Sequence, residues 1–279
     1  MIIDWKRIAQ NIYDDIKKQI DSLQTKPTLW AILVWENPAS LRYIKQKIKW
    51  AKYTWIDFKL TKLNENITEK ELLDIIKDFN NSNSINGYIV QLPLPKNINE
   101  QNIIKAISPI KDVDWFHEQN QWKVLIWDKS AMVPCTPAWI MKILKDINLE
   151  NVSWKIISVI GKSNIVWKPI AALLINAWAT VISCNSKTPK ISEFTKKSDI
   201  IIMAAWKPGL LTNDMVKKWT TIIDVGFTVI DWKIYGDACF DEIEQNWNKI
   251  TPVPGWVGAL TVAMLMSNTL KAYKLQNNL

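Results

Sequence analysis

Residues 158–169 read Ser-Val-Ile-Gly-Lys-Ser-Asn-Ile-Val-Trp-Lys-Pro, and this stretch decides the fold. The β-branched run Ile156 to Ile160 suits a buried parallel strand. It breaks at Gly161, and Lys162-Ser163-Asn164 supplies small polar groups before Ile165, Pro169, Ile170, Leu173 and Leu174 recur at helical spacing. Strand, tight turn and helix are predicted. A helix N-terminus after such a turn presents free N–H groups and a partial positive charge, which suits a phosphate. One glycine alone is equally compatible with an ordinary strand-to-helix connection. The next strand, Ala179 to Ser183, runs into Cys184-Asn185-Ser186-Lys187-Thr188. In a doubly wound fold the end of the second strand holds the adenosine ribose, where a carboxylate favours NAD. Here Ser186 and Lys187 stand at that position with Lys162 nearby, and cations favour a 2′-phosphate. The predicted cofactor is NADP.

The chain has 279 residues, enough for two modest domains that each bury a core. It has no apolar run long enough to span a bilayer, and its start lacks the charged-then-apolar order of a secretory signal. Cys135, Cys184 and Cys239 are odd in number and widely spaced, which predicts reduced cytoplasmic thiols and no zinc or other metal site. The net charge of +8 favours polyanions, but the lysines are scattered rather than striped, as on a solvated basic surface. Composition is abnormal in one respect: there are 17 Trp and 7 Gly. Glycine normally supplies about 7% of residues, or roughly 20 in a chain of this length. Trp35, Trp115 and Trp232 stand in turn-like contexts, where glycine is the residue that takes positive φ cheaply. Most of these tryptophans are therefore expected to stand where the natural protein has glycine, as a UGA codon reassigned to glycine would produce.

Along the chain, residues 4–24 predict an opening helix with Ile8, Ile12, Ile16, Ile20 and Leu23 on one face. A strand at 29–34, the turn Trp35-Glu36-Asn37-Pro38 and a helix at 39–55 follow, then a strand at 56–63. A helix at 68–80 opens on the capping pattern Thr-Glu-Lys-Glu. Strand 87–92, helix 98–107, loop 108–116 and helix 136–144 complete the first half, before a linker near 147–153. The second half repeats the alternation, with strands at 156–160, 179–183, 200–204 and 222–225. A short segment at 234–236, a helix near 240–246 and a final amphipathic helix at 259–275 follow, the last expected to pack back on the first domain. The fold class is α/β: two domains with mostly parallel sheets flanked by helices, the second a Rossmann-like NADP-binding domain. The expected boundaries are 1–147, completed by the helix at 259–279, and 148–258.

Strand ends in an open α/β sheet form the ligand crevice. In the first domain they offer Tyr43 and Lys47, four residues apart on one helix face, then Gln91, Asp112 and Asp114. His117 is the sole histidine and is read as structural, which leaves no Ser-His-Asp or Cys-His machinery. The prolines of 134–137 and 252–254 read as rigid loops lining a cleft.

These residues resemble the bifunctional methylenetetrahydrofolate dehydrogenase/methenyltetrahydrofolate cyclohydrolase family essentially end to end. The resemblance rests on Val-Trp-Glu-Asn-Pro-Ala-Ser at 34–40 with Tyr43 and Lys47, on Val-Gln-Leu-Pro-Leu-Pro at 90–95 and on Lys-Asp-Val-Asp-Trp-Phe at 111–116. It continues through Pro-Cys-Thr-Pro at 134–137, the 159–169 stretch, Ile-Asp-Val-Gly at 223–226 and Ile-Thr-Pro-Val-Pro-Gly-Trp-Val-Gly at 250–258. The family has glycine at Trp35, Trp115, Trp139, Trp167, Trp206 and Trp256, and departs again at Phe227-Thr228, Ala238-Cys239 and Ala259-Leu260. The resemblance implies NADP-dependent oxidation of 5,10-methylenetetrahydrofolate and hydrolysis of the methenyl product to 10-formyltetrahydrofolate, in the one-carbon metabolism that feeds purine biosynthesis. It implies folate in an interdomain cleft, stacked on Tyr43 and held at its amino-pyrimidine edge by Asp114, with Val90, Gln91 and Leu92 beside it. Lys47 would handle the proton and Gln91 would position it. Pro254, Gly255, Trp256, Val257 and Gly258 would close on the substrate, while Gly161, Lys162, Ser163, Ser186, Lys187 and Phe227 would hold NADP. A cytoplasmic homodimer is implied as well. The alternatives are another two-domain NAD(P) dehydrogenase of a small acid, which would lack the Tyr43/Lys47/Gln91 set, and a basic nucleic-acid-binding protein resting on charge alone.

Overall fold

The computed structural model describes residues 2–35, 38–246, 248–254 and 257–279, without the side chains of 38, 39 and 257–259. Of the expected sites, the turn at Glu36-Asn37 and the loop residues Gly255 and Trp256 lie outside the described residues. In chain order the elements are α1 (Trp5–Asp21), β1 (Thr28–Leu33), α2 (Pro38–Thr54), β2 (Asp57–Lys62), α3 (Glu69–Asn81), β3 (Gly87–Val90), α4 (Glu100–Ala106), α5 (Glu118–Leu125), α6 (Cys135–Asp146), β4 (Ile156–Gly161), α7 (Trp167–Asn176), β5 (Thr180–Cys184), α8 (Ser192–Thr195), β6 (Ile200–Ala204), β7 (Thr221–Asp224), β8 (Thr228–Ile230), β9 (Lys233–Tyr235), α9 (Phe240–Glu244), β10 (Lys249–Ile250) and α10 (Val257–Gln276).

The chain divides into two compact units: residues 9–135 with 261–279, and residues 1–8 with 136–260. The expected boundary at 147/148 thus moves to 135/136, so α6 belongs to the unit of the second sheet. The break expected before residue 259 falls after Leu260, which is fully buried.

In the first of these units three parallel strands lie in the order β2-β1-β3. Ile32, Val34, Tyr88 and Val90 pack there with Leu72, Ile76 and Phe79 of α3. The α3 helix starts as its sequence requires: the Thr68 side chain accepts from the Glu71 N–H, and Glu71 reaches back to the Thr68 N–H. Its other end is closed by the buried Lys111, whose Nζ donates to the carbonyls of Phe79, Asn80 and Ser82 at 2.6–2.9 Å. The helix α5 is an element that the sequence reading left unassigned. His117 caps it, Nδ1 accepting from the Gln119 N–H at 3.1 Å, so the histidine is structural as expected.

In the other unit five parallel strands lie in the order β10-β7-β6-β4-β5. Ile2 adds a parallel bridge to Ile250, and the Ile3 N–H donates to the Ile250 carbonyl at 3.1 Å. Strand β10 is two residues long and exists only through its pairing with β7, so no local pattern announces it. Strands β8 and β9 form an antiparallel hairpin of which only the second arm was anticipated. Among the described residues no helix is long and apolar enough to cross a membrane.

Candidate functional site

Each sheet changes direction once. From β1 the chain moves outward to β2 and then returns to β3 on β1's other flank; from β4 it moves to β5 and returns to β6. Such a switch point leaves a crevice beyond the C-terminal strand ends. Both candidate sites are built there.

In the first unit, α2 follows β1 and carries the exposed Tyr43 and the buried Lys47 one helical turn apart. Beyond β3, Gln91 is held by its N–H donating to the Ile32 carbonyl at 2.9 Å. The expected strand end at 92 retracts to Val90, which frees the Gln91 side chain. Lys47 Nζ donates to Gln91 Oε1 at 2.9 Å, and Gln91 Nε2 donates to the Leu92 carbonyl at 3.0 Å, which fixes the amide's orientation. Burial holds the Lys47 ammonium below the usual lysine range, opposed by the nearby Asp114 and Cys135. Asp114 keeps some exposed surface, yet the protein packed around its carboxyl pushes it above the usual carboxylate range, opposed by Lys47. The buried Cys135 thiol is pushed far up, first by burial and then by Asp114. Cys135 is the member that sequence reading missed. Its only signal is its place in the Pro-Cys-Thr-Pro motif, read there as a cleft-lining loop.

The loop bearing Asp114 is fixed by its neighbours. Asp112 accepts from the Phe116 and His117 N–H groups and from Asn120 Nδ2 at 2.8–3.2 Å, and Asn268 Nδ2 of α10 donates to the Val113 and Val133 carbonyls at 2.9 Å each. The arrangement offers a dry amine poised as a base, a carboxyl able to meet N–H donors, and an exposed aromatic face.

In the second unit, a cavity of about 310 Å³ opens at the ends of β4, β5 and β6, lined by Gly161, Lys162, Asn185, Ser186, Ala205 and Lys207 among others. Gly161 is required: a Cβ there would lie 2.3 Å from the Ala204 carbonyl oxygen, and its φ is 153°. Of the residues predicted to hold the cofactor, Gly161, Lys162 and Ser186 line this cavity. Ser163 instead spends its hydroxyl on the start of α7, accepting from the Val166 and Trp167 N–H groups at 3.2 Å each. Lys187 is exposed outside the lining, and Phe227 packs edge-on against Trp206 with centroids 5.0 Å apart. Asn185, Ala205 and Lys207 are lining residues that the sequence reading did not name.

A buried carboxylate sets the cavity's β6 wall. Asp237 accepts from the N–H groups of Ala205, Trp206 and Lys207 at 2.7, 3.0 and 2.7 Å. Gly226 makes room for it, since a Cβ at 226 would lie 2.1 Å from Asp237 Oδ2. A glycine cradle, two lysines and a hydroxyl fit a phosphate-bearing dinucleotide. Pro254 borders a separate cavity with Gly209, Tyr235 and Cys239, and Val257 and Gly258 begin α10.

Residues 3–114 match the model of the tetrahydrofolate dehydrogenase/cyclohydrolase catalytic domain, and residues 134–277 match the NAD(P)-binding domain of the same family. The chain belongs to that family. It therefore carries methylenetetrahydrofolate dehydrogenase and methenyltetrahydrofolate cyclohydrolase activities on a two-domain α/β frame. It is 44% identical to the bifunctional protein FolD of Sulfurihydrogenibium over 98% of both chains. It is 43% identical to that of Mycoplasma mycoides over 99% of this chain and 97% of the relative. Among solved structures, the FolD dehydrogenase/cyclohydrolase of Campylobacter jejuni superposes with a TM-score of 0.93 at 40% identity, covering 100% of this chain and 99% of that one. The Trypanosoma brucei enzyme, solved with NADP and an inhibitor, gives 0.90 at 31% identity with the same coverage.

Proposed function

We propose that Lys47, positioned by Gln91, is the proton-handling group of both folate reactions, and that NADP occupies the cavity at Gly161. The observation that carries this reading is the Lys47–Gln91 hydrogen bond of 2.9 Å, made by a buried amine whose charged form burial disfavours. Tyr43 offers its exposed ring to the pterin, and Asp114 meets the N–H donors of the amino-pyrimidine edge. Val90 and Leu92 flank Gln91, and Pro254 through Gly258 contribute the remaining substrate contacts. NADP, when bound, accepts the hydride that leaves the methylene carbon. Lys162, Ser186 and Lys207 select it through a 2′-phosphate, with Lys187, Ser163 and Phe227 supporting from outside the cavity wall.

In the cyclohydrolase step, water adds to the methenyl carbon and its proton passes to the neutral Lys47 amine. The carbon's bond to one ring nitrogen then breaks, which leaves the formyl group on the other. A cationic substrate beside Lys47 favours the neutral amine further, so substrate and base support each other. Lys47→Met is expected to lower methenyltetrahydrofolate hydrolysis by about 10²–10⁴, with NADP affinity unchanged because the cavity residues belong to the other unit. Hydrolysis at close to the parental rate would refute the assignment.

The same reading makes the protein a cytoplasmic homodimer without affinity for nucleic acid. Three free cysteines support the reducing compartment. The β8–β9 hairpin leaves Val229, Ile230, Ile234 and Tyr235 exposed, which supports self-association.

A further inference from the structure

We propose that the natural protein carries glycine at the positions printed as Trp55, Trp115, Trp127, Trp154, Trp178, Trp206, Trp219 and Trp232, the gene using UGA as a glycine codon. All eight have φ between 58° and 68°, the left-handed region. A side chain as bulky as an indole is a strained occupant there, whereas glycine enters without cost. Among the described residues twelve non-glycine residues have positive φ, and tryptophan supplies eight of them although it makes up only 17 of 279 residues. The other four are Asn148, Lys190, Asp231 and Asn278, three of them Asn or Asp, the types that tolerate this conformation. Burial or bonding does not select the tryptophans; backbone geometry does.

Their places in the fold are the places of glycine. Trp55 follows the end of α2 at Thr54. Trp127 and Trp178 follow the C-caps of α5 and α7, Ile126 and Ala177, at the position where helices end on glycine. Asp231 and Trp232, with φ of 47° and 65°, are the two-residue loop between β8 and β9. A two-residue hairpin loop with both φ values positive is a type I′ turn, whose preferred pair is Asp-Gly.

The indoles gain nothing that would offset the strain. Trp154, Trp178, Trp219 and Trp232 are 94, 74, 73 and 98% exposed. Trp115 is buried, but its Nε1 is buried without a hydrogen-bond partner. Trp206 stands between Ala205 and Lys207, two walls of the dinucleotide cavity, so the substitution bears directly on that site. The inference does not depend on which reaction the site performs, since its readouts are sequence and stability.

The test reads the gene and the protein from the organism that carries it. UGA at these eight codons, with glycine at the same positions in peptides from the native protein, is the expected result. UGG codons, or peptides that carry tryptophan there, would overturn the proposal. Independently, the chain as printed and a version with the eight glycines are each purified and melted. The glycine version is expected to melt roughly 10 °C or more higher, given the few degrees that each relieved strain contributes in a chain of this size. Equal melting temperatures would also overturn it.

Discussion

Lys47 is a lysine whose folded pKa lies below its unfolded one, because burial disfavours the ammonium. Two consequences have fixed signs. The folded state binds this proton less tightly than the unfolded chain, so the group's contribution to stability falls as pH drops below about 10.4 and levels off below the folded value. Activity runs with the neutral amine: cyclohydrolase kcat should rise with pH and reach a plateau, with its midpoint below the usual lysine value. A pH–rate profile checks this. In Lys47→Arg, which stays cationic throughout, the rise should vanish; a rise that persists in that variant would assign the titration to another group. At this scale Tyr43, Lys47, Gln91 and Asp114 were legible, because each stands in a short motif at a strand end. Cys135 was not legible as a site residue. What makes it one is its electrostatic contact with Lys47 and Asp114, which lie far from it along the chain.

Elements divide the labour within a motif. In Lys-Asp-Val-Asp, Lys111 closes the end of α3 and Asp112 gathers the N–H groups of the following turn, so that Asp114 alone is left to the site. Two anchors thus hold one functional residue. The second unit has a parallel device in Asp237, which gathers three successive N–H groups of the loop after β6. Asp237→Asn keeps the shape but turns an N–H donor toward one of those N–H groups. Losing a charge-assisted bond and leaving a donor unpaired costs about 1.5–3 kcal/mol, so KM for NADP should rise tenfold or more. Methenyl hydrolysis, whose residues lie in the other unit, should keep its kcat. Steady-state kinetics of both reactions separate the outcomes, and an unchanged KM would mean that the loop holds its shape without the carboxylate.

At the scale of the whole molecule, the chain returns to its first unit at the end. Residues 261–279 belong with 9–135, and α10 buries Val262, Leu265, Met266 and Leu270. Asn268 ties the Val113 and Val133 loops together, Gln276 Nε2 donates to the Asn86 carbonyl at 2.6 Å, and Thr25 Oγ1 lies 2.7 Å from the Tyr273 hydroxyl. Each buried apolar side chain contributes about 1.5–3 kcal/mol, so four of them rival a whole domain's stability of about 5–15 kcal/mol. A chain ending at Leu260 should therefore lose hydrogen-exchange protection throughout 9–135. Protection retained in β1 and β3 would show that this unit folds without its last helix.

The alternation of elements, the parallel sheets and the chemistry-bearing motifs were determined by sequence alone, because side-chain periodicity and turn composition act over a few residues. The positions at which glycine belongs were partly legible too, as an imbalance between two residue counts. Tertiary structure alone decided the division of the chain at 135/136, the pairing that creates β10, the burial that tunes Lys47, and the carboxylate that latches the loop after β6. Each of these depends on groups brought together from distant parts of the chain, and desolvation and hydrogen-bond geometry exist only once those groups have met.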